Sequence, residues 1–329
     1  MRQGLVKVIC LKVLIMSDLE GVSGVDDHRQ IYADIAEHRE LYKRARNLIT
    51  EDVNAAIRGL RMGGATEIDV IDGHGYGEPP YVNIIRDKIE YGTRVIAAFE
   101  TWSPVKSFPW ESYDAGVLLG YHAMAGTLDG FLSHTVSDLT AVKMNGKYVG
   151  EAEIEAWRLG HYNVPTILVT GDAAVVRETK SILPGIEGVI VKTAASRSTV
   201  KCLPLNEARS LIQRTATSAL KNLKKLKPFK MSTPIHLDIV FSSPECAKLA
   251  AEMPKSKLTD NRTISYIAED YREAWSAYST ALSLALAHRR HLLNKRLRES
   301  EVAKRIMEEW CKEYWHRWAT EPPPSPPIK

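Results

Sequence analysis

The chain has 329 residues, 44% hydrophobic and 26% charged, a balance that places it among ordinary soluble globular proteins. That length accommodates one large α/β domain or two smaller ones, each with a sizeable core. The net charge of +4 is small and its excess sits near the C-terminus, which argues against a nucleic-acid partner.

Four scattered cysteines, Cys10, Cys202, Cys246 and Cys311, lack any paired metal-type spacing and read as reduced thiols in a cytoplasmic protein. The N-terminal "MRQGLVKVICLKVLIM" has the look of a secretory signal. Lys12 interrupts its apolar run and no small-residue cleavage site follows, so it reads as a first strand instead. Nowhere do about 18 apolar residues run together, so no membrane span or membrane partner is expected.

In chain order, "KVLIMSD" reads as a strand, and "YKRARNLITEDVNAAIRGLRMGG" as a helix closed by Gly63-Gly64. "TEIDVID" reads as the second strand and runs into "GHGYGEPP"; "ETWSPVKSFPW" is irregular; "AGVLLGYHA" reads as the third. "AVKMNGKYVG" has the Asn145-Gly146 signature of a type I′ hairpin, and "EAEIEAWRLGHY" after it is helical. "VPTILVTGD" is the fourth strand, with "EGVIVKTA" beyond. This βαβ rhythm predicts an α/β fold with a largely parallel sheet core flanked by helices.

Composition shifts at "KNLKKLKPFKMSTP", a basic connector. "IHLDIVF", "PECAKLAAEM", "RTISYIAED" and "YREAWSAYSTALSLALAH" then suggest a smaller β-α-β-α unit. The remainder predicts one charged helix with Val302, Ile306, Trp310, Tyr314 and Trp318 at i, i+4 spacing, then the tail "EPPPSPPIK", prone to polyproline II. The expected division is a catalytic, metal-binding domain over 1–225, a smaller α/β unit over 226–288 serving oligomerisation, and a C-terminal helical extension with a Pro-rich tail over 289–329.

Chemistry collects at strand ends. Asp18 and Glu20 follow the first strand, two residues apart, so on an extended strand both would point the same way. His74 follows the second strand, His122 the third, and Glu151 opens the helix after the hairpin. Carboxyl ends of neighbouring parallel strands share one edge, where open α/β folds place their sites. Three carboxylates and two imidazoles suit divalent transition metals. They are many for one ion, and fit better a pair about 3.5–4 Å apart sharing a bridging carboxylate. Each residue alone has a plainer reading: a strand-end Asp as a turn former, a strand-end His as a hydrogen-bonded rim residue, Glu151 as a helix N-terminal acid.

The order of "SDLEGVSGV", "DGHG", "GYHAMAGTLDGFLSHT", "NGKYVGEAEIEAW", "VTGD" and "KTAASRSTVKCL" resembles that of the DppA-type D-aminopeptidases, peptidase family M55. The resemblance spans roughly Lys12 to His288. It implies that Asp18, Glu20, His74, His122 and Glu151 bind two zinc ions per chain, manganese or cobalt being the other candidates, with Asp18 bridging. It also implies that His134, in "SHT", is catalytic. A histidine titrates near neutrality and can give or take a proton, although a structural loop histidine is the plainer alternative. Asp172 in "VTGD" reads equally as a ligand-orienting group or a helix N-cap, and Arg197 in "SRS" as a residue of binding or assembly.

The function expected is a metal-dependent aminopeptidase cleaving short peptides, with N-terminal D-residues implied by the resemblance alone. So is a homo-oligomer of stacked rings, a decamer of two pentamers. The alternatives are a di-metal amidohydrolase or phosphoesterase, and a non-catalytic assembly protein with a structural metal. A structural zinc site is normally closed by four Cys or His ligands, which speaks against the last.

Overall fold

A computed structural model describes residues 10–32, 35–75, 82–101 and 108–320, without the side chains of 314 and 318–320. The expected proline-rich tail, most of "GHGYGEPP" and the residues before Cys10 lie outside the described residues, as do the side chains of Tyr314 and Trp318.

The chain begins with β1 (Lys12–Ser17), α1 (Arg39–Gly63), β2 (Glu67–Asp72), β3 (Thr93–Ala97), α2 (Ala98–Thr101) and β4 (Ala115–Tyr121). A hairpin of β5 (Thr140–Met144) and β6 (Lys147–Val149) leads into α3 (Glu151–His161), β7 (Thr166–Asp172), α4 (Ala173–Ile182), β8 (Glu187–Ser196), β9 (Thr199–Cys202) and α5 (Leu205–Lys221). Then come β10 (Ile235–Phe241), α6 (Pro244–Ala250), β11 (Lys257–Leu258), β12 (Thr263–Ala268), α7 (Tyr271–Glu299) and α8 (Glu301–Thr320).

Seven strands form one sheet in the order β3-β2-β1-β4-β7-β8-β9, parallel except for the antiparallel β8–β9 edge. Its central strands are apolar almost throughout because both faces are covered. Val13 and Ile15 of β1 pack with α1 and α5, while Leu14 and Met16 pack on the opposite face with α3 and α4. Gly64 ends α1 in the left-handed conformation (φ 109°), its N–H donated to Arg61 O at 3.0 Å.

Two strands of this sheet, β3 and β9, escape the sequence reading. Both are short edge strands of partly exposed residues, too brief for periodicity to mark. "AGVLLGYHA" is therefore the fourth strand of the chain, not the third. The Asn145-Gly146 turn forms with both residues at positive φ (49° and 80°). Its hairpin, however, extends a separate five-stranded sheet, β11-β12-β10-β5-β6, all antiparallel. That sheet thus takes strands from both sides of the 225/226 boundary. Between the two layers lies α3, giving Ala156 and Leu159 to the large sheet's core and Ile154 and Trp157 to the smaller one.

The single C-terminal helix expected from the sequence is two helices. α7 runs unbroken through His288 to Glu299 and breaks at Ser300, whose backbone is extended (ψ 122°). Along α8, Val302, Ile306 and Trp310 are exposed. Among the described residues, no helix is long and apolar enough to cross a membrane.

Candidate metal centre

The strands β2, β1 and β4 are neighbours, so their carboxyl ends meet at the point where the strand order reverses. β1 stops at Ser17, so Asp18 and Glu20 sit in a turn rather than on extended strand. That turn is pinned to β4 by Asp18 N–H to Leu119 O (2.8 Å) and Gly21 N–H to Gly120 O (2.7 Å). Gly120 has φ +76°, and a Cβ there would strike the backbone oxygen of Asp18, so glycine is required.

From beneath, Lys192 of β8 donates its ammonium to Glu20 O (2.7 Å) and to Val25 O. Burial lowers the Lys192 amine to about 8. Asp52 of α1 accepts the Ser23 N–H at 2.8 Å.

The sequence-predicted residues converge. His74 Nδ1 stands 3.3 Å from Asp18 Oδ1 and 3.2 Å from Glu20 Oε2. His122 Nε2 stands 3.3 Å from Asp18 Oδ2 and 3.1 Å from Glu151 Oε1. The two oxygens of Asp18 are therefore divided between two imidazole–carboxylate groups. The remaining nitrogens are tied to main-chain acceptors: His74 Nε2 to Ile31 O (3.0 Å) and His122 Nδ1 to Ala123 O (3.0 Å). Carbonyls only accept, so those nitrogens carry hydrogens, and the nitrogens facing the carboxylates are the ones a metal would take in exchange for a proton.

Electrostatics follow. Burial pushes the Asp18 carboxyl up, but His122 and His74 outweigh it and hold it well below the ordinary value. The Glu151 carboxyl is likewise lowered against burial, chiefly by His122. Burial lowers both imidazoles; Glu20 and Asp18 raise His74 well above the usual value, and Glu151 and Asp18 do the same for His122.

Buried polar atoms are ordinarily hydrogen-bonded. Here Asp18 Oδ2, Glu20 Oε2 and His122 Nε2 are buried without such a partner. Donor atoms of Asp18, Glu20 and His74 lie within 4.8 Å of one another, as do those of Asp18, His122 and Glu151. This oxygen-and-nitrogen set, with one hydrogen of each imidazole directed outward to a carbonyl and the inward proton exchangeable for a metal, fits zinc.

His134 comes from the loop after β4, and its ring stacks on His122 with centroids 3.9 Å apart and planes at 10°. Its Nδ1 donates to Leu132 O (2.8 Å), leaving Nε2 3.5 Å from Glu151 Oε1. Leu132 (φ 50°) and Val136 (φ 61°) flank it in the left-handed region, costly for a β-branched residue. The conformation is over-determined by Leu132 N–H to Arg197 O (3.0 Å), Arg197 Nη2 to Ser133 O (3.0 Å) and Val136 N–H to Glu151 Oε1 (2.6 Å). Arg197 thus braces the His134 loop.

Asp172 is a helix N-cap. It accepts the Val175 N–H (2.8 Å) and, with its other oxygen, the Phe131 N–H of the same loop (2.7 Å). Glu178 of α4 holds the loop's start, accepting Met124 N–H (2.9 Å) and the Thr127 hydroxyl (2.5 Å). Burial raises its carboxyl to about 6.

A cavity of about 640 Å³ opens over the cluster and is also lined by Tyr121, Glu155, Arg158 and Trp275. The sequence reading missed Glu155, Arg158, Glu178 and Lys192, for nothing in the helix or strand pattern marks Arg158 and Lys192 as buried or Glu155 and Glu178 as partly so.

Residues 11–280 match the family model Peptidase M55, D-aminopeptidase. The D-aminopeptidase of Bacillus subtilis (strain 168) is 31% identical over 280 residues, covering 84% of this chain and 98% of the relative. A solved structure of the Zn-dependent D-aminopeptidase DppA from Bacillus subtilis, a self-compartmentalizing protease, superposes with a TM-score of 0.76 at 28% identity, over 84% of this chain and 98% of that one. Most of α7 and all of α8 fall outside the family match. This chain belongs to the M55 family of D-aminopeptidases.

Proposed function

We propose that the chain is a zinc-dependent aminopeptidase that removes N-terminal D-residues from short peptides, with Asp18, Glu20, His74, His122 and Glu151 holding two ions. The carrying observation is the division of the Asp18 oxygens between His74 and His122, at 3.3 Å each, which suits a bridging carboxylate. Bound zinc supplies Lewis acidity at the scissile carbonyl and an acidified water.

The chain's own residues do the rest. Ile31 O and Ala123 O fix which nitrogen of His74 and His122 faces inward. With its Nδ1–H held by Leu132 O, His134 takes up the proton of the attacking water on Nε2 and passes it to the leaving nitrogen. Glu151, 3.5 Å away, stabilises the transient imidazolium.

We further infer a homo-oligomer of stacked rings, a decamer of two pentamers, assembled through the smaller unit; the self-compartmentalizing DppA relative supports an oligomeric assembly. All four cysteines are free, which accords with a reducing compartment, and we place the chain in the cytoplasm.

The test is elemental analysis of purified protein beside hydrolysis of D-Ala and L-Ala p-nitroanilides and a phosphate ester. About two zinc ions per chain and preferential cleavage of the D-anilide are expected. No metal after reconstitution, or phosphate release alone, overturns the reading.

A further inference from the structure

An aminopeptidase must recognise a free α-ammonium group, and a cation is recognised by a fixed carboxylate. Among the described residues lining the cavity, the carboxylates are Asp18, Glu20, Asp138, Glu151 and Glu155. Asp18, Glu20 and Glu151 are engaged with His74 and His122. Asp138 is exposed and gripped by Arg289 Nη1 at 2.9 and 3.0 Å. Glu155 is left.

Glu155 lies one turn after Glu151 on α3, about 6 Å along the axis and on the same face. That is a short step from the cluster for a substrate whose first carbonyl is held there. One carboxylate oxygen, Oε1, forms an ion pair with Arg158 Nη2 at 3.2 Å that falls short of hydrogen-bond geometry; the other, Oε2, is buried without a hydrogen-bond partner, as is Arg158 Nη2 itself. A buried, unsatisfied carboxylate oxygen is costly, and an ammonium donor would satisfy it.

Its support is rigid. The Arg158 guanidinium lies 4.6 Å from the Trp275 ring centroid and 5.2 Å from that of Trp110, and its Nε donates to Tyr271 Oη at 2.6 Å. Asp18, Glu20 and Glu151 would be offset by the ions they hold, so among the described lining residues Glu155 is the carboxylate left to attract a cation.

We propose that Glu155, held by Arg158, is the anchor for the α-ammonium group of the substrate's N-terminal residue. This rests on the aminopeptidase reading above and gives it a binding residue. Arg158 is a positioning residue, since it acts through Glu155.

The test is calorimetric titration of D-alaninamide, and of propionamide, which lacks only the amine, into the zinc-loaded protein and Glu155→Gln. Metal content and thermal unfolding are measured alongside. Wild type is expected to bind D-alaninamide at least tenfold more tightly than propionamide. Glu155→Gln should weaken D-alaninamide about ten- to hundredfold, as for a lost charge-assisted hydrogen bond, with propionamide binding and zinc content unchanged. For D-Ala-p-nitroanilide the loss should fall in KM rather than kcat.

Retained discrimination in Glu155→Gln, equal weakening of both ligands, or no discrimination in wild type overturns the proposal. Should Glu155→Gln lose its metal or its fold, Glu155→Asp decides. A five- to tenfold weaker D-alaninamide affinity supports the anchor, and an unchanged one overturns it. Glu155-dependent binding without hydrolysis of any anilide would leave the anchor standing and remove the peptidase reading.

Discussion

The imidazole of His134 lies flat on that of His122, centroids 3.9 Å apart and planes at 10°. One ring has its free nitrogen among the carboxylates and the other stands beside it, 3.5 Å from Glu151. Donors of Glu20, His122 and His134 also lie within 4.8 Å of one another, so a proton-transfer role and a ligand role for His134 make different forecasts. Proton transfer forecasts that His134→Ala keeps its zinc while kcat falls about 10²- to 10⁴-fold. Kinetics and elemental analysis on one preparation check this; loss of metal in step with activity would make His134 a ligand.

The metal-free protein should show the charge arrangement in its pH dependence. His74 and His122 are raised above 6.5, so their ion pairs stabilise fully below that pH, and the contribution is lost as pH rises through the folded values. Asp18 and Glu151 are lowered from 3.8 and 4.5; their contribution is present above those values and lost as pH falls through the folded ones. Chelator-treated protein should therefore be most stable between about pH 5 and 6.5 and soften on the alkaline side. Zinc must displace the imidazolium protons, so its affinity rises with pH over that alkaline range. Thermal unfolding from pH 5 to 9, with and without zinc, measures both; a metal-free melting curve flat in pH contradicts the pairing.

Lys192 has no exposure and spends its ammonium on two main-chain carbonyls of the Asp18–Val25 turn. Lys192→Met should cost about 2 kcal/mol, part of the two lost hydrogen bonds being offset by relief of a buried charge. Because Glu20 hangs from that turn, zinc affinity should fall about ten- to hundredfold. Urea unfolding and competition with a zinc chelator test the two parts separately.

The strand ends that carry the candidate ligands were legible because β1 and β4 are apolar runs that stop abruptly at polar residues and β2 ends its alternation in Asp72, and parallel topology does the rest. The place of His134 was not legible in the residues themselves. It depends on left-handed Leu132 and Val136, which no propensity favours, and only the family resemblance reached it. Glu155 and Arg158 look like the outward face of a charged helix. The burial of Arg158 comes from α7, whose Trp275 and Tyr271 lie far along the sequence. The Asn145-Gly146 pair declares a hairpin but not the sheet it joins, because that choice is made by β10.

Asp172 offers the sharpest separation of support from chemistry. One oxygen caps α4 through Val175 and the other takes the N–H of Phe131, three residues before His134. Asp172→Ala removes a helix cap, worth about 1 kcal/mol, and strands a buried N–H, worth a further 1–3 kcal/mol. The loop should then lose its hold on His134 while the Asp18 and Glu151 groups stay in place. Stability should drop by about 2–4 kcal/mol and kcat by about tenfold or more, with zinc content unchanged. Asp172→Asn keeps an acceptor for one N–H and should recover part of both losses. Were Asp172 a substrate ligand instead, either variant would raise KM at unchanged stability, and a urea melt beside a Michaelis plot tells the two apart.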